Sequence, residues 1–321
     1  MNVPRSNGVW IICIIACAGL ADAQTFPAKP VRIVTSGIGG ANDFTARLVA
    51  HGLTTALGQQ VIVENRGGAS AAISAMAVVK ASPDGYTLLS HGSPLWMLPF
   101  LQDNVPYDPL RDFAPIALVM IAPNVLVVHP SMPVKSVKQL IAFAKGRPGA
   151  LNYSTTTLGS PSHLSAELFK AMAGVKIVGI PYKGAAQSMQ DLISGRVELS
   201  FPSAAAAGAH VKSGRVRALA VTSAEPSVLF PGLPTIAAAA LPGYEAVGKF
   251  GVFAPAGTPA AIIARLNQEI VRVLSSADTK EKFLAVGGEV SGGSPEAFAA
   301  TVRSEMTRMG KVIRDAGIRA E

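Results

Sequence analysis

The chain has 321 residues, 49% of them apolar, with 28 Lys and Arg against 20 Asp and Glu and a formal charge of +8. That length suits two lobes of about 100 to 200 residues each better than one simple core. The positive balance favours anionic partners, but the basic residues are scattered, with no run of five like charges and no aromatic interleaving, which argues against a nucleic-acid surface.

At the N-terminus, Arg5 precedes an apolar run from Val9 to Leu20, and Ala21-Asp22-Ala23 has the small-x-small form of a cleavage site before Gln24. The pattern predicts an export signal over 1–23, cleaved after Ala23. The run falls short of the roughly 18 residues that span a bilayer, and no later segment is long and apolar enough. Cys17, after Ile14-Ile15-Ala16, offers a competing lipoprotein cut. Both cysteines, Cys13 and Cys17, lie inside the signal, so a chain starting at Gln24 has no disulfide.

Val31 to Val34 reads as a buried strand, and Ala41 to Leu57 as a helix closed by Gly58. Between them Thr35, Ser36, Gly37, Ile38, Gly39 and Gly40 form a Gly-rich turn whose bare backbone and free first-turn amides suit an anion. A second strand over 61–63, a polar loop from Glu64 to Ala69, a helix over about 71–81, the Pro83-Asp84-Gly85 turn and a strand over 86–89 follow. This β-α-β-α-β order predicts a parallel sheet, with Ser90 at a strand's carboxyl end beside the opening loop.

Farther on, a strand covers 124–128 and Ser136 with Gln139 opens a helix that stops at Gly146. A strand over 151–154 leads into Thr155-Thr156-Thr157-Leu158-Gly159-Ser160, with Ser160 as N-cap and Pro161 at the first helical position. Then come a strand over 176–181, Tyr182-Lys183-Gly184, a helix to Gly195 and a strand over 197–201. A strand over 250–254 ends in Pro255-Ala256-Gly257-Thr258-Pro259, with Thr258 expected to cap the next helix. It echoes Val125 to Pro130, as if the chain left a first lobe near 125 and returned near 250, a geometry that closes by bending. Asp278 with Glu281, and Ser294-Pro295-Glu296, mark the starts of two more helices.

Catalytic templates fail. The histidines have no metal-ligand spacing, no nucleophile elbow or P-loop occurs, and a dinucleotide reading of Gly37-x-Gly39 needs glycine where Asn42 stands. No cofactor is expected. His163 is equally a ligand donor or a residue bonded to a neighbouring loop; Asp43 is explained by its helix first turn or by a ligand amine. Glu64 and Arg66 read as a loop brace, and Lys183 as a candidate cation.

The phrases Gly39-Gly40-x-x-Asp43-x-x-Ala46-Arg47, Val63-Glu64-Asn65-Arg66, Pro83-Asp84-Gly85-Tyr86, Tyr107-Asp108-Pro109-x-x-Asp112-Phe113-Ala114-Pro115, Gly159-Ser160-x-x-His163-Leu164, Pro181-Tyr182-Lys183-Gly184 and Ala254-Pro255-Ala256-Gly257-Thr258-Pro259 occur in an order that resembles the Bug-type periplasmic solute-binding proteins of the tripartite tricarboxylate transporters. The resemblance implies an α/β, type II periplasmic binding protein. Its lobes, 24–124 with 249–321 and 125–248, each have a mainly parallel sheet flanked by helices, and two crossover strands form the hinge. It implies a monomeric receptor, not an enzyme, that holds a small organic acid between the loop from Thr35 to Asp43 and the loop from Thr155 to His163. The receptor would then deliver that acid to integral-membrane permease subunits. A sensory partner of a membrane receptor is the alternative, an exported enzyme a remoter one.

The chain departs from the family's usual Pro-Phe-x-Pro-Gly-Gly at Thr35-Ser36-Gly37-Ile38-Gly39-Gly40, from its usual glycine at Thr157, and from its usual Trp at Lys249. A hydroxyl-rich pocket, with Lys249 as an added cation, and a small polar rather than aromatic carboxylate are expected.

Overall fold

In a computed structural model, which describes residues 26–67, 71–155, 160–182 and 184–319, the chain builds two mixed sheets. The first elements are β1 (Val31–Thr35), α1 (Ala41–Leu57), β2 (Val61–Asn65), α2 (Ala72–Val79), β3 (Thr87–Gly92), α3 (Pro94–Leu101) and β4 (Phe113–Pro123). After Asn124 come β5 (Val125–Val128), α4 (Val137–Lys145), β6 (Asn152–Thr155), α5 (Pro161–Ala173), β7 (Val178–Pro181), α6 (Ala185–Ile193), β8 (Leu199–Ser200), α7 (Ala204–Lys212), β9 (Arg217–Val221) and α8 (Ile236–Ala239). Then follow β10 (Val247–Pro255), α9 (Ala260–Ser275), α10 (Ala277–Ala285), β11 (Glu289–Val290) and α11 (Pro295–Asp315).

The six-stranded sheet has the order β11-β4-β10-β3-β1-β2, and the five-stranded sheet β7-β6-β8-β5-β9. The expected parallel series appears where helices carry the chain back: β1 pairs parallel with β2 and β3, and β6 with β7 and β8. Both sheets are mixed rather than mainly parallel: β4 pairs antiparallel with β10 and β11, β10 with β3, and β5 with β8 and β9, all involving strands at or beside the crossings. Only Asn124 separates β4 from β5, and β10 begins opposite the end of β4, with Val247 facing Pro123. A polar knot holds this point: the Asn124 amide donates to Thr222 Oγ1 at 2.8 Å, the Thr222 amide to Asn124 O at 2.9 Å and the Ala246 amide to Thr222 O at 2.9 Å.

Local signals set most boundaries. Gly58 and Gly174 end α1 and α5 in the left-handed region, and Ser136, Ser160 and Ser294 cap α4, α5 and α11 as their positions imply. Two expected caps are corrected. Thr258 donates its hydroxyl to Pro255 O and leaves α9 with Pro259 at the N-cap position and no side-chain cap, while Ser276, not Asp278, caps α10. The long β4 is not legible because Pro115 looks like a turn; in the sheet it sits at a register shift opposite Phe253, where proline's missing donor is tolerated. Phe253, Phe298, Trp96 and Phe113 form an aromatic core between this sheet, α3 and α11, with the Phe253 and Phe298 centroids 4.8 Å apart.

Candidate functional site

A cavity of about 440 Å³ opens between the two sheets. Gly40 at the start of α1, Ser160 at the start of α5, Ala185 at the start of α6 and Ser203 at the start of α7 all line it. Each helix N-terminus presents about half a positive charge from aligned peptide dipoles, with one first-turn amide of α5 and one of α7 taken up by the Ser160 and Ser203 caps. The N-caps of α1 and α6 are Gly40 and Gly184, which have no side chain to consume those amides. No charged side chain lines the cavity among the described residues. The wall is thus a positive field made of backbone, suited to a carboxylate that needs no cationic partner.

The first jaw is rigid because it is braced from outside. Asp43, 5% exposed, accepts the Gly39 amide at 3.0 Å, Asn65 Nδ2 at 2.8 Å and Arg47 Nε at 3.0 Å. Asn65 also donates to Ser36 O, and Asn42 to Ser36 Oγ, both at 3.0 Å. Gly67 packs so close to Gly37 that a Cβ on Gly67 would stand 2.9 Å from the Gly37 Cα. Gly39 takes φ +84°, a value other residues rarely adopt. Burial pushes the Asp43 carboxyl up, yet the bonds from Arg47, Gly39 and Asn65 outweigh it and hold the group below its ordinary value.

Asp43→Ala is therefore expected to lower unfolding free energy by about 1 to 3 kcal/mol at neutral pH. A carboxyl depressed by folding contributes above its unfolded pKa of about 3.9 and loses that contribution as pH falls through the folded value. Urea titrations at neutral and strongly acid pH should show the gap between wild type and variant closing in acid.

Of the anticipated residues, Gly39, Gly40 and Ser160 line the cavity. Ile38 is 80% exposed at the turn's tip. Thr35 is buried and donates to Ser90 O at 3.0 Å. Ser90 is not at a strand end, as its position suggested: β3 continues to Gly92, and Ser90 pairs with Val252 inside the sheet. Thr155 ends β6, buried. His163 gives its amide to the Ser160 cap, while its buried imbidazole ring lies 3.9 Å from Glu167. Burial lowers the His163 pKa despite Glu167, keeping the ring neutral near pH 7. Thr156, Thr157, Gly159 and Lys183 lie outside the described residues.

The expected cleft cation at Lys249 is corrected. Gly248 and Phe250 line the cavity, so the alternation of β10 turns Lys249 to the other face. There its ammonium is buried 2.8 Å from Glu245 and 3.7 Å from Glu305. Glu305 also accepts Trp96 Nε1 at 2.7 Å. Glu64 and Arg66 do form the anticipated brace, with Arg32 joining them.

Sequence reading missed Phe44, Met120 and Phe250 on the wall made by α1, β4 and β10, and Ser188, Ser200 and Ser203 opposite. The i, i+2 pairs Met120 with Ala122 and Gly248 with Phe250 could have revealed a shared strand face, but not that the face is a cavity.

A family profile described as tripartite tricarboxylate transporter family receptor matches residues 45–318. The protein BugT of Bordetella pertussis is 38% identical over 323 residues, covering 99% of both chains. Among solved structures, R. palustris Rpa4515 with adipate is 40% identical with a TM-score of 0.73, covering 92% of this chain and 100% of that one. MatC from Rhodopseudomonas palustris with bound malate is 29% identical with a TM-score of 0.69, covering 90% and 100%. Two sheets joined by paired crossings around a cleft, and likeness over nearly the full length, make this chain a member of the tripartite tricarboxylate transporter receptors, a family of periplasmic solute-binding proteins with the type II binding-protein fold and not of enzymes.

Proposed function

We propose that the chain is exported, captures a small carboxylate in its interlobe cleft as a monomer, and presents it to the permease subunits of a tripartite transporter. The observation that carries this reading is the convergence of four helix N-termini on one cavity without a charged side chain among its described lining residues. The relatives that hold adipate and malate support the same ligand chemistry. Residues 24–124 with 249–321 form one lobe and 125–248 the other, a division supported by sheet membership and the single-residue passage at Asn124. The ligand touches the turn around Gly39 and Gly40 and the start of α5 at Ser160, with Thr156, Thr157, Gly159 and Lys183 completing the second jaw. Residues 1–23 are removed after Ala23, leaving Cys17 in the discarded segment.

Thermal unfolding of the periplasmic protein tests the ligand class. A panel of dicarboxylates and their uncharged diamides is compared at equal concentration. At least one acid is expected to raise the unfolding midpoint by several degrees while its diamide does not, since only a ligand bound to the native state stabilises it. Equal stabilisation by acid and diamide, or none by any acid, would contradict the proposal.

A further inference from the structure

The cavity has two chemically different walls, and the difference bears on what lies between the ligand's polar ends. On the side of the six-stranded sheet stand Phe250, Phe44 and Met120. Each packs against close neighbours. A Cβ on Gly92 would meet the Phe250 ring at 2.9 Å, and one on Gly248 would meet it at 3.3 Å, so two glycines leave the bed in which that ring lies. A Cβ on Gly288 would meet Met120 Sδ at 2.3 Å, so a third glycine makes room for the thioether. Phe44 is held edge-on against Phe283, centroids 5.7 Å apart. An apolar surface held in place this way loses little conformational freedom when a ligand covers it.

The opposite wall looks hydroxyl-rich, but four of its serines, Ser160, Ser188, Ser200 and Ser203, already bond within the protein. Ser188 Oγ donates to Ser154 Oγ at 2.8 Å, and Ser200 Oγ donates to Ser154 O at 2.9 Å. Ser160 and Ser203 accept the amides of His163 and Ala206 as helix caps. Among the described residues, Phe250, Phe44 and Met120 offer a ligand hydroxyl no strong hydrogen-bond partner, so one laid on them would lose water at a cost that an unsubstituted hydrocarbon does not incur.

Building on the carboxylate reading above, we propose that Phe250, with Phe44 and Met120, is a specificity platform that selects carboxylates with an unsubstituted hydrocarbon body over their polyhydroxylated counterparts. The helix N-termini hold the carboxylate, and the platform takes the carbon chain. Gly92, which does not line the cavity, is a positioning residue that acts through the ring it accommodates.

Calorimetric titration of the purified protein with hexanedioate and with its 2,3,4,5-tetrahydroxy analogue tests this at matched length and charge. Wild type is expected to bind hexanedioate at least about tenfold more tightly, because burying hydroxyls without partners is penalised more than burying methylenes. Phe250→Gln should bring the two affinities within about threefold of each other, whereas Phe250→Leu, which keeps an apolar surface and the fold if the polar variant is unstable, should retain most of the preference. Equal or tighter binding of the tetrahydroxy acid by wild type, or an unchanged ratio in folded Phe250→Gln, would overturn the inference and leave the carboxylate reading standing. Failure of both acids to bind would also overturn it; only failure of the whole dicarboxylate panel would remove the carboxylate reading as well.

Discussion

Ser162→Asp is expected to abolish carboxylate binding while leaving the fold at least as stable as wild type. Ser162 lies in the first turn of α5 and lines the cavity. An aspartate in a helix first turn interacts favourably with the dipole, by about 0.3 to 1 kcal/mol. The same charge stands inside a cleft that wild type keeps free of carboxylates among its described lining residues. Two like charges about 4 Å apart at an effective dielectric of about 20 repel by about 4 kcal/mol, so affinity should fall by at least about a hundredfold. Ser162→Asn, which matches the shape without the charge, should lose far less. Calorimetric titration with urea denaturation of the same samples separates the two effects: weaker binding with undiminished stability is the expected pair of results.

Lys249→Met should do the reverse, costing stability and sparing the ligand. The ammonium is buried between Glu245 and Glu305, behind the strand face that meets the cavity. Burial raises the Glu305 pKa against the pull of Lys249 and Trp96. Glu245 is also pushed up by burial, but Lys249 and Arg308 bring it below its ordinary value. Removing the cation leaves a buried carboxylate without compensation, which costs about 3 to 5 kcal/mol at neutral pH. A carboxyl whose folded pKa is raised favours the native state more as pH falls through that value, because its protonated form needs no counter-charge. The deficit should therefore shrink on acidification. Lys249→Met combined with Glu305→Gln should recover much of it. Denaturation across this pH range checks both statements, and ligand affinity of the folded variant should match wild type.

These two residues also mark what the amino-acid order could reveal. Helix starts at Ser136, Ser160 and Ser294, and stops at Gly58 and Gly174, are legible because each depends on a few neighbouring atoms. The Gly39-Gly40 jaw is legible for the same reason. Lys249 is a harder case. Its neighbours Gly248 and Phe250 face the cavity, so a reading by proximity in sequence puts the cation there, while strand alternation sends it to the opposite side. The apolar wall is less legible still, because Phe44, Met120 and Phe250 come together only through the order β4-β10-β3-β1, set by pairings between distant parts of the chain. The starts of α6 and α7 join the site through the pairing order β7-β6-β8-β5 of the other sheet.

A crystal structure of the protein with a bound dicarboxylate tests the central claim most directly. Carboxylate oxygens are expected within hydrogen-bond distance of main-chain amides at the N-termini of α1 and at least one of α5, α6 and α7, with Lys249 still paired to Glu245 behind the sheet. A ligand held chiefly by cationic side chains, with those amides turned to water or to the protein itself, would contradict it.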